Sequence, residues 1–482
     1  MKLKISDFSN GINAKIDQNV LPLNVAKTSY NFDFFSMGLK NAMRFHALKC
    51  PLLTLETSLD KLLDLKNMCQ NGRVHFYKRY DFTNNSWDDK LIIFDQNLNC
   101  FYLNLCTDEA VLTSLGIEFS SFPSMVNYRL NGEDVVIFAS PTDNMYVWNG
   151  VDQPQEIIDA PKIKSMVIHN ERLFATTVSD QSELWFSDDL DPTNWSVSLN
   201  DAGVIAMVDE LRGSLNKVVS FGDYLFVFRE NGISKLSASA GQESFYLTHL
   251  FVTSGKIFEN TVEVAGDRII FVASDGIFCF DGINTKSILD NLKDKIMIDD
   301  NCKAKFFNGK YYLSCKVNFE DNNVTDLNYP TLNGDGTEIN AILSIDVKSG
   351  EYVILRGVSV VDMEVVNTNY MQEIIFLNKS DFPLLTLNNT ENPTIVQNMV
   401  WRSGLSDIDN TIRIKAVRHI YLSVFEGSAT FKLFNENGDC VSYNLCAGLN
   451  DIPTYFIGRR IGYEISSASN NVCVSNLVLE IV

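Results

Sequence analysis

ERLFATTVSDQSELWFSDDLDPTNWSV runs from Glu171 to Val197. Its first half holds two runs, RLFATT and ELWF, of the β-branched, aromatic and aliphatic residues that fit a pleated, half-buried surface. The polar VSDQS between them makes the pair a β-hairpin. An acidic turn follows, SDDLDPTN, and closes on a tryptophan. Its three aspartates raise three readings: catalysis, a bound cation, or closure of a loop.

The hairpin is one of a series. An apolar run, a polar turn and a second apolar run recur at 90–105, 134–150, 172–189, 224–239, 268–282, 310–355 and 373–389. Turn pairs such as Asn231-Gly232 and Asp275-Gly276 support the hairpin reading. The leading aromatics are Phe94, Phe138, Phe174, Phe226, Phe271, Tyr312 and Phe376, with spacings of 44, 36, 52, 45, 41 and 64 residues. Four-stranded propeller blades repeat at about 40–50 residues, and packing blades around an axis buries both faces of each. The expected fold is therefore all-β, an irregular propeller of about six to eight blades. The longest spacing holds a polar stretch, EDNNVTDLNYPTLNGDGTE, read as a surface insertion.

Both ends depart from this pattern. Residues 1–50 are poor in periodicity and read as an extended arm. Residues 51–395 form the propeller, and 396–482 carry about six strand patterns, enough for a separate β-sandwich. Two short stretches, 58–68 and 287–297, are loosely periodic and read either as loop helices or as mixed strands.

A 482-residue chain with 45% hydrophobic and 21% charged residues is globular and exceeds one compact core. The formal charge of −20 argues against a basic nucleic-acid-binding surface, yet suits a wall past which DNA slides. The N-terminus lacks the apolar core of a signal peptide, and no run of about 18 apolar residues marks a membrane helix. Ten cysteines without a CxxC pair read as free thiols of a reducing cytoplasm.

SDFSNGINAKIDQNVLPLNVAKTSYNFDFFSMGLKNAMRF (6–45) resembles the opening of many bacteriophage tail proteins, through Gly11, Ile12, Asn13, Asn31, Asp33, Gly38, Leu39 and Arg44. The 171–197 hairpin and the last strands, 458–482, resemble other parts of the same family. That family comprises the propeller-containing tail nozzle, or tail tubular protein B, and related virion stabilisation proteins. The resemblance implies a non-enzymatic component of the virion tail, assembled in the host bacterial cytoplasm. It implies a ring of identical subunits, commonly a hexamer, that meets the portal and adaptor and lines the DNA exit channel without binding DNA specifically. Leu21, Leu23, Tyr30, Phe32, Phe34 and Phe35 load the arm with apolar groups. They dock either on the chain's own propeller, as a closing strand, or on a neighbouring subunit or the connector, and are the candidate interface residues.

Enzyme signatures are missing. The sequence holds no GxxxxGK[ST], HExxH or GxSxG motif, and His46, His75, His169, His249 and His419 are scattered. No catalytic, metal or cofactor-binding residues are expected. SDDLDPTNW resembles in part the Asp-box turn of sialidase propellers, matched by Ser187, Asp189 and Trp195, with Asp191 where glycine is usual. That box is structural, and Ser187, Asp189, Asp191 and Trp195 are read as a structural turn: carboxylates accept nearby amides and the indole plugs the hairpin. The loops at 81–89, 189–194 and 333–338 gather oxygen donors of the kind calcium takes, without the EF-hand register. The alternative function is a receptor- or glycan-binding tail fibre or tip module, and behind it a glycosidase.

Overall fold

The computed structural model describes residues 1–17, 21–35, 38–48, 71–106, 112–197, 202–239, 241–253, 255–293, 295–318, 338–369, 371–379, 383–388, 393–395, 397–408 and 413–482. Among these, seven sheets of four or five strands carry the repeating modules. Four are simple meanders: Ser124–Leu130 to Gln155–Ile157, Ile163–His169 to Gly203–Ala206, Leu215–Phe221 to Tyr246–Val252, and Glu263–Val264 to Thr285–Ile288. Before them lies the blade that starts at Arg73–Tyr77; after them come the blades centred on Lys310–Asn318 and Gln372–Asn378. First strands of neighbouring blades pack on one another, which sets them around a common axis. The fold is a seven-bladed β-propeller with a β-sandwich.

The seven marker aromatics all sit on the second strand of a blade, and each is at most 2% exposed. A second strand is covered on both faces by the adjacent blades, so it reads as an unbroken apolar run. IIFVA at Ile269–Ala273 and KLIIF at Lys90–Phe94 are buried at every residue. First strands mix apolar and charged residues, and outer fourth strands such as Gln155–Ile157 and Thr285–Ile288 are partly exposed.

The arm is not a separate unit. Arg44–Ala47 pairs antiparallel with Leu384–Asn388 as the outer strand of the seventh blade, in the register Leu385 to Ala47 and Leu387 to Phe45. The closing-strand reading therefore holds for this segment. The rest of the arm enters the sandwich. Lys2–Ile5 and Leu39–Asn41 pair with the C-terminal Cys473–Ile481, and Phe32–Asp33 pairs with Leu39–Asn41. Ala26–Tyr30 pairs with Met399–Ser403 in the opposite sheet. The sandwich thus includes the first residues of the chain, a correction to the 396–482 boundary.

Phe8 and Phe34 meet Trp401 of the sandwich with ring centroids 5.3 and 5.4 Å apart, and Phe34 meets Tyr352 of the sixth blade at 5.5 Å. One continuous core results, shared by the sandwich and the fifth and sixth blades. Of the two readings of 287–297, the structure has strands rather than a loop helix: strand Thr285–Ile288 ends at Leu289, whose φ of 56° is left-handed, a three-residue 3-10 turn follows, and Ile296–Met297 is a short strand. The stretches 58–68 and 319–337 lie outside the described residues. Cys100, Cys106, Cys279, Cys302, Cys315, Cys440, Cys446 and Cys473 are free thiols.

Candidate functional site

The axis of the propeller is lined by first strands, and these supply charged side chains. Arg73 and His75 come from the first blade, Lys164 from the third and Lys217 from the fourth. Glu259 and Glu263 belong to the fifth, Lys303 and Lys305 to the sixth, Asp362 and Glu364 to the seventh. They enclose a cavity of about 390 Å³.

Most of these charges are answered within the channel. Lys305 Nζ lies 3.3 Å from Glu364 Oε2, and His75 Nδ1 lies 3.7 Å from the same oxygen. Lys164 Nζ is 2.7 Å from Glu259 Oε2 and donates to Asn216 Oδ1 at 2.9 Å. Lys217 Nζ donates to the Val262 carbonyl at 2.9 Å, and Asp362 accepts the Val74 amide at 2.9 Å. Burial pushes the Glu364 carboxyl up, but Lys305 and His75 outweigh it and hold it at about 2. Burial, helped by the neighbouring cations Lys305 and Arg73, lowers the pKa of Lys217 against the pull of Glu263 and Glu259.

A glycosidase keeps one carboxyl protonated near neutral pH beside an ionised partner. Glu364 is driven the other way, and its partners are cations. The channel residues escaped sequence reading because they sit on first strands, where charges interrupt the apolar run. The available signal was alternation ahead of each module, as in KIKSMVIH (162–169), KAKFF (303–307) and DMEVV (362–366).

The arm residues proposed as an interface face inward. Leu21, Leu23, Tyr30, Phe32 and Phe34 are all at most 6% exposed, and Phe35 is partly buried against Phe34 and Tyr352. Leu23, Tyr30, Phe32 and Phe34 belong to the core shared by the sandwich and the blades of the same chain, and Phe35 is the one of the six that keeps some exposed surface.

The 187–195 turn is built as a structural element, with one exchange of roles. Ser187 is fully buried and its hydroxyl accepts the Leu173 amide at 3.0 Å. Asp191 accepts the amide and hydroxyl of Thr193 at 3.0 and 2.6 Å. Trp195, 3% exposed, packs in the core between the second and third blades and donates to the Pro192 carbonyl at 3.0 Å. Asp189 closes nothing: it is exposed and reaches out to Arg172 at 3.9 Å. Asp188 does that work instead, accepting from the Asp189 amide and from Asn194 Nδ2. The same position between third and fourth strands is closed by Asn149, Asp281 and Asp346 in other blades. In the 81–89 loop, Asp81 accepts the amides of Thr83 and Asn84, and Asp88 pairs with Arg79 and Lys90. Among the described residues no three His, Cys, Asp or Glu side chains converge to hold a metal ion.

No protein-family pattern matches the sequence. No curated protein matches it. Solved structures that resemble it include BBS1N, crystallised in complex with ARL6DN, at 8% identity and a TM-score of 0.42 over 65% of this chain and 90% of that one. Hsv2p of Kluyveromyces lactis aligns at 7% identity and 0.32 over 55% and 80%. Raptor of Chaetomium thermophilum aligns at 9% and 0.44 over 70% and 31%. Likeness at this level carries no argument about this chain.

Proposed function

We propose that this chain is a non-enzymatic structural protein of a bacteriophage tail, working as a ring of identical subunits around the path of the DNA. The observation that carries the reading is the part played by the tail-like motif at 6–45. Its residues are the joint of the molecule. Asn31, at φ 59°, accepts the Arg356 amide at 2.8 Å and donates to the Asn398 carbonyl at 2.8 Å, so one side chain ties blade to sandwich. Gly38, at φ 105°, sits where a Cβ would collide with the Val474 carbonyl. Leu39 is fully buried, and Arg44, 5% exposed, donates to Asn471 at 2.5 Å. A joint of this kind holds two β-domains as one rigid body, which suits a part loaded by passing DNA.

Subunit contact is better sought at the sandwich edge than at the arm. Among the described residues Gly448–Gly458 is a long edge strand paired on one side, and it exposes Leu449, Tyr455 and Ile457, with Phe425 exposed on the neighbouring strand. Acidic walls would repel phosphate and let DNA pass. Mass photometry of the purified chain tests the assembly. The expected result is one fixed multiple of 54.3 kDa, shifted to monomer by Tyr455→Glu. A monomer at the highest soluble concentration would remove the self-assembly part of the proposal.

A further inference from the structure

Beside the paired channel lies a second, larger cavity of about 700 Å³, at a mouth of the axis between the first, sixth and seventh blades. Its charge is opposite in sign to that of the chain. Arg73, Lys303, Lys316 and Lys379 line it, against a single carboxylate, Asp299, which lies 3.1 Å from Lys316. The whole chain carries −20. Three cationic charges in excess within one concave site of such a protein call for an explanation.

Lys303 supplies the second observation. Its side chain is 8% exposed and lines both cavities, yet among the described residues its ammonium has no hydrogen-bond or ion-pair partner. The backbone amide beside it is used by Ser314. A largely buried ammonium in contact with no carboxylate, with Asp362 and Glu259 only farther along the shared cavity wall, is costly unless a closer counter-charge is supplied. Arg73 sits in the same wall. Its guanidinium lies 5.0 Å from the Phe122 ring and also lacks a carboxylate partner among the described residues, leaving its donors open.

We propose that this cavity is a binding site for a phosphate-bearing small anion, held by Arg73 and Lys303 with Lys379 at the rim. The volume exceeds what one inorganic phosphate needs and matches a ligand of oligophosphate or nucleotide size. The site is independent of the tail reading, since it rests on charge and enclosure alone.

Calorimetric titration of the full chain with tripolyphosphate and with ATP tests it. The expected result is saturable one-to-one binding of at least one of them, weakened at least tenfold by Arg73→Gln and by Lys303→Met. The exposed control Lys286→Gln retains full affinity. Tighter binding of ATP assigns the ligand to the nucleotides, and equal binding to the inorganic oligophosphates. Lys303→Met removes an enclosed charge, so this variant folds and keeps the test valid even where Arg73→Gln does not. No saturable binding of either ligand, or unchanged affinity in both variants, overturns the proposal.

Discussion

Lys303 keeps an ammonium in a place that burial makes unfavourable. Burial pushes it down to about 8, helped by Arg73 and Lys217, while Asp362 and Glu259 pull the other way. The unfolded chain holds this proton up to the ordinary lysine range near 10.5. Between these values the unfolded state binds more protons, so stability rises with pH across about 8 to 10.5 and the penalty is full below 8. Lys303→Met is therefore expected to stabilise the protein at pH 7, by on the order of 1–3 kcal/mol. It also flattens that rise, as denaturant melts at pH 7 and pH 10 would read. A destabilised variant would mean that the ammonium has a counter-charge after all. In the turn, Asp191→Ala should cost about 1 kcal/mol and Asp189→Ala nearly nothing, because only Asp191 accepts a backbone amide. The turn's structural character was legible in its composition. Which aspartate does the work was not, since Asp188 and Asp189 are indistinguishable until the strand before them fixes which carboxylate points inward.

The second strands were the most legible elements, because burial on both faces writes an unbroken apolar run. First strands were hidden by the charges that make the channel, and the arm by its irregularity: its strands are two to five residues long and gain order only from distant partners. Its apolar side chains were seen, but one sequence cannot say whether such a segment is covered by its own chain or by another. Asn31→Ala tests the joint. It removes the side-chain hydrogen bonds with the Arg356 amide, the Asn398 carbonyl and Gln397 Nε2 and leaves a non-glycine residue at φ 59°, an expected loss of about 2–4 kcal/mol by chemical denaturation. Deleting residues 1–47 removes the outer strand of the seventh blade and strands from both sandwich sheets. The truncated chain should aggregate or melt in separate steps; a monomer with an unchanged single transition would contradict the stapling role.

At the scale of the whole molecule, charge is unevenly spent. Many aspartates act as turn closers, and the backbone amides they accept hold carboxyls such as Asp281 and Asp346 below the usual range. Their contribution is present above the ordinary aspartate pKa of 3.8 and lost as pH falls below it, so acid unfolding is expected under about pH 4. Part of the −20 is thus a consequence of joining so many hairpins, which weakens net charge alone as a guide to function. The basic mouth cavity stands out against it for the same reason. The seven-fold repeat and the sandwich were foreseeable from pattern; the fusion of the two through the arm depends on contacts some 300 or more residues apart, such as Asn31 to Arg356 and Tyr463 to Leu23. Localising a C-terminally tagged copy of this chain on purified virions by labelled electron microscopy tests the tail reading most directly. The account predicts label at the tail axis below the portal, repeated around it; label on fibres alone, or none on the particles, would contradict it.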